Sequence, residues 1–276
     1  MKTFRQVKFL TVSFLIAYCT LACAPVLAED VIPDNPALKD KFFIGIGGYL
    51  PTSSTDVRLD STTLGVGANL NMEDTLGLDE RKLAPEFLAR WRFTERWRME
   101  MEYFQLDRSG TRTLSGAIQI GDKVYSANED LQSEFNIAVT RISVGYSFFK
   151  TADKELGIGI GMHVAEIETR FNGSLVGEEG SDATAPLPVL SLYSQFALTD
   201  KWSVGARFDR FALEVNPYRG DITSVGLDLQ YQAFRHIGFG IGFRTLDVEL
   251  EAEEGDFRGK IESRFSGPIF YMNASF

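Results

Sequence analysis

Charged side chains recur at every second position in several segments of this chain. Arg90 and Arg92 alternate with apolar residues, and a few positions later Arg98, Glu100 and Glu102 do the same. Successive side chains of a β-strand point to opposite faces, so this pattern places the charges on one face and the apolar residues on the other. Charges of both signs on one enclosed face can form an ion-pair plug, or a charged constriction that selects a solute.

The same alternation, followed through the other candidate strands, gives a larger inward-facing set. Its members are Arg90, Arg92, Arg98, Glu100, Glu102, Arg141, His163, Tyr193, Arg207, Asp209, Asp228, Arg244, Glu262 and Arg264. Both signs occur in comparable number and buried charges need partners, which favours a structural plug or a very narrow pore over an open channel. Glycine rows within 45–47, 157–161 and 238–242 are expected to make room for arginine and glutamate side chains of neighbouring strands.

Enzymatic, metal and cofactor chemistry find little support in the residues. The chain has two histidines. His236 falls in a turn, and His163 has only Ser143 and Ser191 as conceivable partners, so a hydrolase is the less favoured alternative. Histidines and carboxylates lack metal-ligand spacing, and the glycine rows do not follow a nucleotide-binding spacing. We therefore expect no catalytic residue, no metal and no cofactor.

The first 28 residues have the features of an export signal. Lys2, Arg5 and Lys8 precede an uncharged, mostly apolar stretch, and small or β-branched residues lie before a cut after Ala28. Cleavage would remove both cysteines and three of the 28 basic residues but none of the 38 acidic ones, which leaves a formal net charge of −13. Such a charge argues against nucleic acid as a partner.

Two turns share the spacing Thr-x-x-Trp, at Thr94 and at Thr199. Each lies between runs that alternate strictly, and a slip of one residue would exchange the two faces, so a three-residue loop is predicted at 94–96. A third hairpin turns at 234–236. The predicted pairs are Phe93 with Trp97, Trp91 with Met99, Arg90 with Glu100, Phe196 with Val204, Leu192 with Phe208, Tyr193 with Arg207, Tyr231 with Phe239, Leu229 with Ile241 and Leu227 with Phe243.

The alternation predicts ten strands, with eight or twelve as alternatives. They run at about 42–50, 83–93, 97–108, 132–149, 156–171, 187–199, 202–215, 222–235, 237–250 and 258–276. Short turns join them at one end. Long acidic loops are predicted at the other end, at 51–82 (including the alternating residues 64–72), 109–131 (with a β-ribbon at 118–125), 172–186 and 249–256. An even strand count with this asymmetry is typical of an antiparallel transmembrane β-barrel.

The apolar face is expected to point outward. Ten strands each carrying about four large apolar residues would overfill a barrel of this size, whereas the same residues form a lipid-facing band on the outside. A water-soluble β-protein with an apolar interior is the alternative. Near the short turns, Trp91, Trp97, Trp202 and Phe276 are expected to form an aromatic girdle at the periplasmic interface.

The phrases Arg92-Phe93-Thr94-Glu95-Arg96-Trp97 and Leu198-Thr199-Asp200-Lys201-Trp202, together with Phe276, resemble the small bacterial outer-membrane β-barrel superfamily. That group includes the OmpA membrane domain and the OmpW-like proteins. The resemblance is one of architecture over nearly the whole chain after residue 28. It implies a bacterial outer-membrane location, lipid and lipopolysaccharide as surroundings, and recognition of the C-terminal strand by the barrel assembly machinery. The implied organisation is a cleaved signal at 1–28, a periplasmic tail at 29–40 and one barrel domain at 41–276.

Two functions remain in view. The first is a non-enzymatic barrel whose lumen is narrow or plugged by ion pairs, serving a structural role or the passage of small solutes. The alternative is a surface interaction protein whose acidic extracellular loops bind a host ligand, a phage or lipopolysaccharide, the last through cations.

Overall fold

A closed antiparallel β-barrel dominates the computed structural model, which describes residues 34–61, 68–120, 123–215, 218–254 and 257–276. The strands are β1 Phe42–Tyr49, β2 Thr52–Ser61, β3 Ala68–Asn71, β4 Ala84–Arg92, β5 Trp97–Thr113, β6 Ile118–Ile120, β7 Lys123–Tyr125, β8 Asp130–Lys150, β9 Lys154–Gly173, β10 Gly177–Ala197, β11 Trp202–Val215, β12 Tyr218–Gln232, β13 Ile237–Glu254 and β14 Phe257–Ser275. Two short helices accompany them, α1 Pro36–Lys39 and α2 Met72–Leu76.

Within these described ranges the ring contains ten strands, as predicted. Its order is β1, β4, β5 and then β8 to β14, and β14 returns to β1 to close it. The closing ladder runs from Phe43 opposite Ser275 to Tyr49 opposite Ile269. Closure pairs the backbone groups of both edge strands, which a bilayer requires because it offers no water to bond them.

The Thr-x-x-Trp turns have a common local cause. The hydroxyl oxygen of Thr94 accepts a hydrogen bond from the Trp97 amide at 2.9 Å, and that of Thr199 accepts one from the Trp202 amide at 3.0 Å. A threonine side chain that bonds its own turn in this way holds the chain reversal at a fixed length. The predicted pairing is confirmed at all three hairpins, with Trp91 opposite Met99, Phe196 opposite Val204 and Tyr231 opposite Phe239.

Two of the predicted acidic loops are wrong. Strands β9 and β10 stay paired out to Gly173 and Gly177, and β13 runs to Glu254 before β14 begins at Phe257. Acidic residues made these segments resemble loops, but Glu178 and Glu249 belong to paired strands. Most of residues 172–186 and 249–256 therefore extend the barrel wall beyond the membrane.

Strand β8 shows how the wall changes along its length. Its side chains keep one inward and one outward set throughout, but both sets change polarity near Arg141. Towards the short turns the buried residues include Arg141, Ser143 and Ser147, and the exposed ones include Ile142, Val144 and Phe148. Beyond Arg141 the buried residues include Leu131, Phe135, Ile137 and Val139, and the outward ones include Gln132, Glu134 and Asn136. In the half of the barrel with the short turns the outer face is therefore suited to lipid hydrocarbon, and in the other half the outer face is suited to water. By the usual asymmetry of such barrels the short turns are periplasmic.

The first extracellular connection is folded rather than loose. Strand β2 continues the wall by pairing with β14, from Thr52 opposite Ser266 to Ser61 opposite Phe257, and β3 pairs with β2 outside the ring. Helix α2 follows, with Met72 and Leu76 buried in the extracellular core. The alternating stretch placed in this loop is therefore a short strand over 68–71, while 62–67 lie outside the described residues. The predicted ribbon at 118–125 is present as β6 paired with β7.

The N-terminal part of the described chain sits in the periplasmic mouth of the barrel. Helix α1 begins after Asn35, whose side-chain oxygen accepts from the Ala37 amide at 2.9 Å. The Asn35 amide donates to the carbonyl of Thr199 at 2.8 Å, and Leu38 is 1% exposed. The predicted tail at 29–40 thus folds against the second short turn from Asp34 onward. No helix in the described part of the chain is both long and apolar enough to cross a bilayer.

The polarity change along β8 predicts opposite responses to one substitution. Val144→Arg places a charge in hydrocarbon and is expected to lower the free energy of unfolding by about 2–4 kcal/mol. Gln132→Arg, on the same outward face above the membrane, is expected to change it by less than about 0.5 kcal/mol. Guanidinium unfolding in lipid vesicles measures both. Equal losses at the two positions would contradict the membrane boundary placed at Arg141.

Candidate functional site

The membrane-level part of the lumen is filled by charged side chains of both signs. Among the described residues of this layer, six arginines face six carboxylates. They are Arg90, Arg92, Arg98, Arg141, Arg207 and Arg244, with Glu86, Glu100, Glu102, Glu155, Asp209 and Asp228. Equal numbers give a layer without net charge, which lowers the cost of holding ions away from bulk water. We call this set the ionic layer.

The periplasmic side of the ionic layer is centred on Glu155. This carboxylate is fully buried and accepts from Arg92 at 2.7 Å, while Arg98 lies 3.7 Å away. Ser147 donates its hydroxyl to the same carboxylate. The ring of Tyr193 stacks on the Arg98 guanidinium, whose central carbon lies 3.3 Å from the ring centroid. Arg98 is thus held between this ring and the Glu155 carboxylate.

The extracellular side of the ionic layer is centred on Asp209. Arg141 binds this carboxylate through two nitrogens, at 2.8 and 3.2 Å, and Ser191 donates to it as well. Nε2 of His163 lies 3.4 Å from the same carboxylate. Because Ser191 contacts Asp209 and not the histidine, the three side chains do not form the relay that activates a serine nucleophile.

Glu100 and Glu102 join these two sides. Arg207 contacts both carboxylates, and Arg141 lies 3.5 Å from each. Arg244 bridges Glu102 to Glu86, the latter at 2.5 Å. The contacts link β4, β5, β8, β11 and β13 across the lumen, so the network ties opposite walls together.

Arg90 and Arg92 also hold the N-terminal segment. Both donate to the carbonyl of Ala37 in α1, at 3.1 and 2.9 Å. The Arg90 guanidinium lies over the Phe43 ring at 5.0 Å. Helix α1 is therefore part of the closure of the periplasmic mouth.

A second closure lies above the ionic layer. Apolar side chains fill the extracellular half of the lumen, including Leu106, Phe135 and Phe265. One buried ion pair crosses them: Arg108, on β5, contacts Glu73 of α2 and lies 4.8 Å from the Phe135 ring. Burial lowers the pKa of Arg108, and the hydrogen bond to Glu73 opposes that shift. At the rim, amides of Leu175 and Ser126 donate to Glu129 and hold its pKa below the usual range.

Twelve of the fourteen residues predicted to line the lumen face the interior, and two do not. Glu262 and Arg264 point outward above the membrane, with side chains 50% and 68% exposed, and Arg264 pairs with Asp247 on the outer face. They share the parity of the lipid-facing Phe270 and Met272, so alternation puts them outside. Their charge suggested the lumen, but above the membrane the outer face is the polar one.

Four further residues of the site were absent from the predicted set, namely Glu155, Glu86, Arg108 and Glu73. Glu155 lies where a turn was expected, whereas β9 begins at Lys154. Glu86 shares the parity of Arg90, a signal that was available. Glu73 gave no signal, because it reaches Arg108 only through the fold of the first extracellular connection.

The glycine rows accommodate aromatic rings and backbone rather than arginine and glutamate, which corrects the expectation. A Cβ at Gly145 would lie 2.6 Å from the Tyr193 ring, and Gly157 faces the same ring. Gly240 packs in the same way against Tyr271. Gly159 lies against the Val144 carbonyl instead.

The predicted girdle residues lie exposed near the short turns. Trp91, Trp97, Trp202 and Phe276 are between 41% and 57% exposed. Aromatic neighbours pack against them, as Tyr231 does against Trp202 at 4.7 Å between ring centroids, with the two rings tilted by 41°. Amphipathic rings at this level suit a membrane–water interface.

Comparison with known proteins supports the fold and little beyond it. No protein-family model matches the chain, and no curated protein matches it. Among solved structures, the outer membrane protease OmpT from Escherichia coli is similar at a TM-score of 0.53 and 8% identity, over 85% of this chain and 97% of that one. Weaker similarities include Ail of Yersinia pestis (TM-score 0.34, 10% identity, 83% and 97%) and the Pseudomonas putida toluene transporter TodX (0.33, 11%, 91% and 94%). The closed ring and its lipid-facing band define an integral β-barrel protein of the bacterial outer membrane.

The ionic layer predicts a large difference between buried and exposed carboxylates. Glu155→Gln leaves Arg92 without its anion and Arg98 with Glu100 alone, and we expect a loss of about 3–5 kcal/mol in the free energy of unfolding. Asp247→Asn removes one partner of the exposed Arg264 pair and is expected to cost less than about 1 kcal/mol. Denaturant unfolding in detergent micelles compares the two. A Glu155→Gln barrel as stable as the wild type would show that the layer contributes little.

Proposed function

We propose that this protein is a sealed, non-enzymatic outer-membrane barrel whose role is structural. The observation that carries the proposal is that the lumen is filled at three successive levels. Helix α1 covers the periplasmic mouth, the ionic layer crosses the membrane level, and the apolar core with α2 fills the extracellular half. Together these three levels favour a plug over a pore.

The internal contacts also favour a barrel without catalysis. His163 is buried against Asp209, and the second histidine, His236, donates from Nδ1 to the carbonyl of Ser275 beside a short turn. A hydrolytic site needs a nucleophile beside its base and access for substrate. Neither histidine offers both.

Conductance in planar bilayers tests the seal. The purified barrel is expected to give no current steps above leak across the physiological salt range, because side chains fill the lumen at the three levels described. Glu100→Ala is expected to remain silent as well, since the apolar core above it is unchanged. Reproducible steps from the wild type would overturn the proposal, and steps from Glu100→Ala alone would show that the ionic layer is the only barrier.

A second candidate function is surface interaction through the barrel wall that stands above the membrane. Outward-facing cations of this wall form ion pairs with carboxylates, as in the pairs of Arg210 with Asp221 and of Lys260 with Glu249. Other outward carboxylates such as Glu166 add to the negative charge. This acidic belt would contact lipopolysaccharide phosphates only through divalent cations, since like charges repel.

Retention of lipopolysaccharide tests this candidate. Binding to the purified barrel is expected to need Mg²⁺ and to fall when EDTA is added, because bridging ions are removed. Glu166→Lys is expected to weaken the dependence on Mg²⁺, whereas Gln132→Ala, which changes no charge, serves as the control. Binding that is indifferent to EDTA would exclude cation bridging.

A further inference from the structure

A hollow remains within the ionic layer. Its volume is about 90 Å³, and its lining includes Arg90, Asp228, Gln230, Tyr271 and Gly226. A water molecule needs about 10–15 Å³ of such space, so the hollow has room for several waters or for one solute as small as glycine. Asp228 and Gln230 are only partly buried and lie near the end of β12, which places the opening of the hollow on the periplasmic side.

Two charges that border the hollow are left out of the ion pairing. Each of the other ten charged members of the ionic layer has a partner of opposite sign within ion-pair distance. In the part of the chain that the structure describes, Arg90 has no carboxylate and Asp228 has no cation at that distance. The layer has no net charge, yet Arg90 and Asp228 do not form an ion pair with each other.

Both groups keep hydrogen-bonding or ion-pairing capacity that the protein itself leaves unused. Arg90 donates from Nη2 to the Ala37 carbonyl, while its Nε is buried without a hydrogen-bond partner. Asp228 accepts from Gln230 at 2.8 Å and from the Tyr271 hydroxyl at 3.4 Å, and both of these donors are neutral. Unpaired charges away from bulk water are costly, and water alone supplies dipoles but no counter-charge.

The surrounding residues keep the space open. Gly226 lines the hollow, and a Cβ built there would have no atom within 4 Å. Gly205 is different, because its Cβ would lie 2.7 Å from the Asp228 carboxylate. The absence of side chains at both positions leaves Asp228 facing open space rather than a packed wall.

We propose that this hollow binds a small zwitterion of the size of glycine, whose carboxylate faces Arg90 and whose ammonium faces Asp228. One molecule that carries both charges supplies an ion-pair partner to Arg90 and to Asp228 at once. The ligand enters from the periplasm and does not cross the membrane, so this site is independent of whether the barrel conducts.

Titration of the purified full-length barrel in micelles tests the site, with saturation-transfer NMR as the readout. Glycine is expected to bind in the millimolar range. Acetate and methylammonium each carry one of its two charges, and each is expected to bind at least about tenfold more weakly, since each forgoes one charge-assisted contact. Acetate equal to glycine would overturn the zwitterion. No glycine binding would also overturn the proposal and leave the hollow to water.

Two substitutions at one position separate the site from the fold. Gly226→Leu fills the hollow and touches no charge, so glycine binding is expected to disappear while the barrel keeps its heat-modifiable migration on gels. Gly226→Ala adds one carbon where space is open and is expected to change the affinity by less than about threefold. Asp228→Asn is expected to weaken glycine by about tenfold and to leave acetate unchanged. Unaltered glycine binding in a folded Gly226→Leu barrel would show that the ligand binds elsewhere.

Discussion

Each long strand of this barrel meets two solvents, and the polarity of its two faces reverses between them. In hydrocarbon the outward residues must be apolar, because unpaired polar groups there cost several kcal/mol. In water above the membrane the outward residues are polar and the apolar ones turn inward, where they form an ordinary hydrophobic core. The reversal on β8 falls at Arg141, between Val139 inside the core and Ile142 in the lipid band. The two closures of the lumen are consequences of this reversal.

At the membrane level the lipid takes up the apolar residues, so the interior is left to polar side chains. Polar side chains in a narrow lumen need partners, and the barrel supplies them as arginines and carboxylates from opposite walls. Arg207 and Arg244 reach Glu102 from β11 and β13, which a single hairpin does not bring together. Such bridges favour one arrangement of the ring and leave little space inside it. The same packing leaves Arg90 and Asp228 apart, because Phe43 and α1 engage the first while two neutral donors engage the second.

Above the membrane the barrel is organised like a water-soluble protein. Its core is apolar, its outer face carries charge pairs, and the first extracellular connection contributes α2 and the buried pair of Glu73 with Arg108. The acidic residues in this region lie mainly on strands, so they are held in rows rather than spread over flexible loops. The wall above the membrane therefore presents an ordered acidic surface.

Period-two alternation and turn chemistry determined the local structure from the sequence alone. The pairing of Trp91 with Met99 follows from the alternating runs on both sides of Thr94, and the ten-strand ring follows from the number of such runs. The tertiary structure decided whatever depends on strands distant in sequence and on height in the membrane. Glu155 meets Arg92 only when the ring closes, and Arg264 lies outside because the outer face at its level is in water. Alternation tells which residues share a face. It does not tell which solvent that face meets, since this depends on where the bilayer ends along the assembled wall.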